Sequence, residues 1–542
     1  MKRAFWYDES HMDQQIAEVD TTEAHVVRFA KNYGNTSVSE NGAVGYRTTT
    51  KALLDLNFKV SSLRKRNENE ITEGYIKAFH ESPKYAVKWL FFLRDILEGM
   101  GERRTFRIGL KYLAISQPKI AQAILPFIPQ YGRFDDALVL LDTPLAADVA
   151  AFYKEQLKRD LEAMECNAPI SLLAKWLPSI NTSSAKTREY AGKLCRHFKM
   201  SQKEYRKTLS RLRTYGNVVE TKMSASDWES IAYEQVPAKA NLNYDRAFAR
   251  HDLERRTEYL ESVLSGEGKL NAGGLIPYEI VHRFMKNAPC GAGLKDDLLA
   301  ELMWKKILTD GFANDWGLED AIVVADGSGS MFSFASGSGS VSAIEVCNSL
   351  AIYFAEQLKG VFHNKAITFS EHPQFIDLKD NTSLKDKMEI MFAYDEVANT
   401  NIEAVFNLIL DMAKSREVPR EELPKQVLII SDMEFDWAVG NESWSPIRRK
   451  PVNDGLFERI AAKYEENGYR MPRLIFWNVC GRTDTIPKVD NEEGLCLLSG
   501  FSQNAMKIAA DRTQKDPYES LLSVLNSPRY QAIEDAIKEY VA

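Results

Sequence analysis

The sequence predicts a multidomain protein of class α plus α/β, a long helical half followed by a doubly wound α/β half. Three observations carry this. From about residue 45 to 310, apolar residues recur at three- and four-residue spacing, the period of an amphipathic helix. After residue 315, short β-branched runs alternate with helical stretches, the texture of a mainly parallel sheet. The length of 542 residues exceeds one ordinary core, so two or three domains are expected.

In chain order, residues 1–44 are set apart as an N-terminal extension and 45–310 as a helical-repeat domain. The stretches 86–94 and 106–113 both show helical spacing, and Glu98-Gly99-Met100-Gly101-Glu102 between them is a stop and restart. Further helices are expected at 119–126, 134–142, 147–165, 170–177, 185–196 and 202–212. Such a series of short antiparallel helices predicts a HEAT-like repeat, as a solenoid or a ring. Residues 316–515 form the α/β domain, with strands at 321–325, 365–369, 426–430, 473–479 and 494–498. Helices at 341–359, 401–415, 454–467 and 502–511 fill the gaps, and 332–340 is a Ser/Gly-rich loop. Residues 516–542 should supply a last helix, about 527–541, that returns to the helical domain.

Composition narrows the setting. An apolar fraction of 44% with 27% charged residues is that of ordinary globular protein. No apolar run approaches the roughly 18 residues of a membrane span, and the start lacks a signal peptide's apolar core. Cys166, Cys195, Cys290, Cys347, Cys480 and Cys496 show no paired spacing, so reduced thiols in a cytoplasm are expected, with no zinc site. A net charge of −7 argues against blanket nucleic-acid binding and leaves room for a local patch.

Residues 321–331, Ala-Ile-Val-Val-Ala-Asp-Gly-Ser-Gly-Ser-Met, are the most informative stretch. A buried strand delivers Asp326 to the carboxyl edge of the sheet, where open α/β sheets place their ligands. Gly327 and Gly329 let the chain turn, so that Asp326, Ser328 and Ser330 can converge. Three hard oxygen donors suit Mg²⁺ or another hard divalent cation. A second apolar run, Val427 to Ser431, ends in Asp432.

The Asp-x-Ser-x-Ser string resembles the metal-ion-dependent adhesion site of von Willebrand A domains. That resemblance implies Thr400 and Asp432 as the remaining ligands, although the loop before Thr400 lacks the family's glycine-rich form. A helical repeat followed by such a domain resembles Ro autoantigen (TROVE) proteins, and in particular a little-characterised Ro-like family of plants, bacteria and phages. The strings that carry this include 49–56, Leu93-Arg94-Asp95 through Gly101-Glu102-Arg103, and Tyr131-Gly132-Arg133-Phe134-Asp135-Asp136. They continue with 173–179, 220–224, 431–436, Phe476-Trp477-Asn478 and 499–502. The resemblance implies binding of small or single-stranded RNA and a metal site that captures a carboxylate-bearing protein partner, with no membrane and no DNA specificity.

The residues offer their own evidence for RNA. Lys186, Arg188, Lys193, Arg196, Lys199, Lys203, Arg206, Lys207, Arg211 and Arg213 crowd two adjacent helices against only Glu189 and Glu204. Tyr190, His197, Phe198, Tyr205 and Tyr215 are interleaved. Cations that screen phosphate, with aromatic faces that stack bases, are what single-strand binders combine. The competing reading is a solvated helix face. Smaller basic clusters lie at 64–66 and at Arg103, Arg104, Arg107 and Lys111.

No GxSxG elbow, Walker loop or HExxH occurs, and His80, His251 and His282 are expected to be structural, so the reading is non-enzymatic. Two alternatives stay open: a metal-dependent protein-interaction scaffold that binds no RNA, and a hydrolase using Asp326, Asp432 and a metal-bound water. The short linker at 309–318 and the last helix predict that the α/β domain closes against the helices. The two domains should have separate cores, and the metal site should face outward, away from the helices.

Overall fold

The computed structural model describes residues 35–39, 44–286, 288, 291, 293–312, 320–335, 340–394, 401–434, 456–487, 494–513 and 516–541. Thr400 and Cys290 lie outside them. Strands β1 (Thr36–Val38) and β2 (Val44–Tyr46) form an antiparallel hairpin that straddles the boundary expected at residue 44.

Helices run in succession from Ala52–Phe58 to Leu298–Phe312, and local chemistry sets their ends. Asn67 starts the helix Glu68–Glu81 by accepting from Glu70 N at 2.9 Å. Ser82 followed by Pro83 starts Pro83–Arg94, proline being suited to the first helical turn. Lys199, with φ 57°, ends Ala185–Phe198, and a Ser201–Glu204 capping box starts Gln202–Tyr215. The two basic helices therefore form a hairpin. The expected helix at 134–142 is a 3₁₀ helix. The one at 170–177 shrinks to Leu173–Trp176, because Pro178 disfavours helical backbone at the residue before it.

The helical half returns on itself. A methyl group placed on Gly101 would lie 3.7 Å from Ile276 Cδ1, and one on Gly274 would lie 3.4 Å from the Ile96 carbonyl.

The sheet of the C-terminal half comprises β3 (Ala321–Ala325), β4 (Lys365–Thr368), β5 (Phe375–Asp377), β6 (Gln426–Ser431), β7 (Arg473–Asn478) and β8 (Leu495–Ser499). Their order is β5-β4-β3-β6-β7-β8, and every pairing is parallel except that of the edge strand β5. The five expected strands are present. The three-residue β5 is too short to show a period, and the helix Leu384–Ala393 was not expected either. The helix expected at 502–511 is a 3₁₀ turn, Gln503–Met506, joined to Lys507–Ala510. Part of the expected linker is helical, since Leu298–Phe312 runs into it.

The C-terminal segment holds two helices, Pro517–Leu525 and Gln531–Ile537, because Pro528 between them cannot donate to a continuous helix. Both return to the helical half. Lys88, wholly buried, meets Glu534 at 2.6 Å and Asn526 at 3.3 Å. Asp95, also wholly buried, receives Arg529 at 2.7 and 2.9 Å. The buried apolar residues of both halves form one connected cluster, which corrects the expectation of separate cores. Among the described residues no helix is long and apolar enough to cross a membrane.

Buried charge makes the closure testable. Glu534→Ala strands the Lys88 ammonium and is expected to cost about 3 kcal/mol, whereas Lys88→Met should cost less than about 1 kcal/mol. Urea melts of the two variants give the comparison, and equal losses would mean that the pair is not what closes this contact.

Candidate metal site and basic face

Strands β3 and β6 are central neighbours, buried along their whole length, with Ala325 opposite Ile430. The loops that leave these two strands therefore emerge side by side at the carboxyl edge. Asp326 N donates to Ile430 O at 3.1 Å, and Ser431 Oγ donates to Asp326 Oδ2 at 2.6 Å. Asp326 Oδ1 accepts from Ser328 N at 2.9 Å, which folds the turn so that Ser328 Oγ and Ser330 Oγ stand 3.0 Å apart. The Ser330 hydroxyl lies beside the Asp432 carboxylate, and Asp432 Oδ1 accepts from Glu434 N at 3.1 Å.

Asp326 and Asp432 are each 1% exposed. Burial, and then the facing Asp326 carboxylate, push the Asp432 carboxyl up to about 7. Two buried carboxylates with two hydroxyls are an all-oxygen set whose mutual repulsion a divalent cation would relieve. The residues fit such an ion. Among the described residues no cluster of three or more His, Cys, Asp or Glu forms a metal site, so a cation here relies on the serine hydroxyls. Thr400 lies outside the described residues. Its neighbour Asn401 caps the helix Ile402–Ser415, accepting from Ala404 N at 3.0 Å.

Three participants went unnoticed in the sequence. Ser431 aims Asp326, Glu434 holds the chain after β7, and Arg482 borders the site. Glu434 accepts from Arg482 N and Thr483 N, each at 2.8 Å. This grip brings the Arg482 guanidinium to 3.4 Å from Asp432 Oδ2. Ser431 and Glu434 lie within a string already singled out. Arg482 carries no local signal, since only the register of β6 and β7 brings it there.

The outward-facing expectation is overturned. The carboxyl edge of the sheet is turned toward the helices, because its polar ends find their partners there. Asn478 Nδ2 donates to Phe58 O at 3.1 Å, and Ser61 Oγ donates to Asn478 Oδ1 at 3.0 Å. Ser61 N donates to Ser499 Oγ at 3.0 Å, and Ser502 Oγ to Gly99 O at 3.0 Å. On the other flank His282 meets Glu345 at 2.6 Å, which gives this histidine the structural part expected of it. Gly329 is exposed and Ser330 half-buried, so the metal site keeps a solvent side there.

The ten basic residues divide. Lys186 and Lys193 pair with Asp142 and Glu189, Arg188 caps the carbonyls of Thr182 and Ser183, and Arg213 binds those of Ala174 and Leu177. Arg196, Lys199, Lys203, Arg206, Lys207 and Arg211 are exposed, and their side chains take no ion-pair partner among the described residues. The aromatic stacking expected of Phe198 and Tyr205 fails, whereas His197 is exposed and Tyr190 and Tyr215 are half-buried. Phe198 and Tyr205 are buried, and the Tyr190 and Tyr215 hydroxyls are tied to Asp142 and to the Ala168 carbonyl. Helical spacing that mixes apolar and basic residues puts the aromatics on the core face. The cluster at 64–66 is a fastener: Arg64 pairs with Glu102 and lies 3.6 Å above the Phe501 ring, while Arg66 reaches Asp484. Arg107 is committed to Asp135 and Asp136, and Arg104 to Leu63 O.

Residues 320–536 match a family described as a domain of unknown function (DUF7788), and residues 185–311 match a second such domain (DUF2828). The chain is 27% identical over 529 residues to the uncharacterized protein L728 of Acanthamoeba polyphaga mimivirus, which spans 91% of this chain and 87% of that protein. A solved structure, the RO (RSR) protein of Deinococcus radiodurans, is similar with a TM-score of 0.40 and 14% identity, over 83% of this chain and 92% of that one.

The edge contact can be probed at one residue. Asn478→Leu keeps the volume but strips partners from Phe58 O, Ser61 Oγ, Cys480 N and Gly481 N. A loss of about 3 kcal/mol is expected from buried groups left without partners. Denaturant titration measures it, and a loss under about 1 kcal/mol would mean that water reaches this edge.

Proposed function

We propose that this protein is a non-catalytic, Ro-like RNA-binding scaffold. In this reading the helical half is a TROVE-like HEAT repeat, and the C-terminal half is a von Willebrand A domain carrying a hard divalent cation, Mg²⁺ in the first instance. The observation that supports the cation most strongly is the side-by-side delivery of Asp326 and Asp432, buried together, with Ser328 and Ser330 beside them. Thr400 would complete the ligand set. The exposed side at Gly329 and Ser330 is where a carboxylate-bearing partner would reach the ion. The oxygen set is read as a capture site. Reduced thiols fit a cytoplasmic setting.

Calorimetric titration with Mg²⁺ or Mn²⁺ tests the cation. Asp326→Ala should abolish binding. Asp432→Asn should also abolish it, yet raise the melting stability of the metal-free protein by roughly 1–2 kcal/mol, since it removes one of two facing buried charges. Undiminished metal binding in both variants would sink the assignment.

The RNA reading rests on Arg196, Lys199, Lys203, Arg206, Lys207 and Arg211. With Phe198 and Tyr205 buried, these side chains would chiefly meet phosphates, which carry no sequence information. Affinity for a single-stranded oligonucleotide should fall steeply with salt. In Lys203→Glu/Arg206→Glu/Lys207→Glu the log–log salt slope should become shallower by about 2. An unchanged slope would remove this face from the site. The buried positions of Phe198 and Tyr205 favour, as a second reading, a protein-binding scaffold without RNA. Purified protein with a 260/280 absorbance ratio free of nucleic acid, and no oligonucleotide binding, would select it.

A further inference from the structure

We infer that the amino edge of the sheet carries a separate binding site for a small aromatic anion. A cavity of about 700 Å³ opens there, within the range that holds drug-sized ligands. It is lined by the segment leading into β6, the turn before β7, and Arg512. Asp326 lies at the opposite end of β3, about 16 Å away along five strand residues, so the cavity is distinct from the metal site.

Its walls have two characters. The inner surface is apolar and fixed. Leu423, Met471 and Pro472 are buried, and Tyr469 is pinned by its hydroxyl, which donates to Val418 O at 2.9 Å. A pinned aromatic wall accepts a flat ring at little ordering cost.

The charged surface is mostly cationic. Arg420, Lys425, Arg470, Arg473 and Arg512 line the cavity, against Glu421 and Glu465. Lys425 and Arg512 share Asp320, at 2.9 and 3.1 Å, so one carboxylate offsets two cations on that rim. Arg473 is 6% exposed and its Nη1 is held by Ala509 O at 2.9 Å, so its positive charge belongs to the inner wall. Arg420 has no carboxylate partner among the described residues. It lies across the turn at Gly468, where a methyl group would sit 2.8 Å from Arg420 Nη2. Gly468 has φ 80°, so that turn suits glycine twice over. Four guanidinium groups beside a fixed apolar wall match a ring that bears a sulfonate, phosphate or carboxylate, since such groups take forked hydrogen bonds from arginine.

The test uses 8-anilinonaphthalene-1-sulfonate and its uncharged relative N-phenyl-1-naphthylamine as fluorescent probes on the full chain. The sulfonate should bind at one site per chain. The neutral probe should bind at least ten-fold more weakly. Arg420→Glu, an exposed position, should weaken the sulfonate at least ten-fold, and Met471→Trp, which fills the cavity, should abolish its binding. Circular dichroism and melting confirm that both variants are folded. If Met471→Trp fails to fold, Arg420→Glu and the probe pair decide alone. Absence of sulfonate binding, equal binding of the neutral probe, or sulfonate affinity unchanged in folded Arg420→Glu would each overturn the proposal.

Discussion

The polar carboxyl edge of the sheet has to be satisfied away from water, and the helical half supplies the partners. Backbone and side-chain groups buried without hydrogen bonds are costly, so the two surfaces come as a matched pair. Asn478 is the centre of this match. Its carbonyl holds the turn at Cys480 and Gly481, while its amide reaches across to Phe58 O. Close approach is possible because Gly500, with φ 103°, presents no side chain to Val60 and Met100. The seating of this edge against the helical half depends on that match, with the Lys88–Glu534 and Asp95–Arg529 pairs joining the halves elsewhere.

The basic residues show how the same side chain serves different ends according to its neighbours. Arg64, stacked over Phe501 and paired with Glu102, is cohesive. Arg94, Arg107 and Arg133 surround Asp135 and Asp136 in a network that Trp176 covers, 3.9 Å from the Arg133 guanidinium. In such a network arginine acts through geometry, its planar fork matching carboxylates. By contrast, Arg196, Lys199, Lys203, Arg206, Lys207 and Arg211 of the 185–215 hairpin are exposed with no ion-pair partner among the described residues. Surface charges of that kind add little to stability, which leaves them available for a polyanion.

Much of the α/β half was legible because a fully buried strand has a simple signature. Five short apolar runs stood out, and the run into Asp326 pointed to the candidate site. The adjacency of Asp326 and Asp432 needed the register of β3 and β6, which no local pattern contains. Edge strand β5 was missed because three residues give no periodicity. The outward orientation was misjudged for a related reason. Strand order tells which end of a sheet gathers loops, but the surface that covers that end is chosen by groups such as Ser61 and Met100, far away in sequence. Likewise Tyr205 and Phe198 read equally well as stacking or core residues until the hairpin fixed which face was inward.

The return of the C-terminal helices has a bearing on how the chain is made. Lys88 and Asp95 lie in the first fifth of the sequence, yet Asn526, Glu534 and Arg529 reach the ribosome exit more than 430 residues later. Until then the emerging helices carry an ammonium and a carboxylate with no counter-charge, beside apolar surface that the last helices cover. Synthesis at roughly 5–20 residues per second leaves that surface bare for tens of seconds, which makes the nascent helical half a natural client for chaperones.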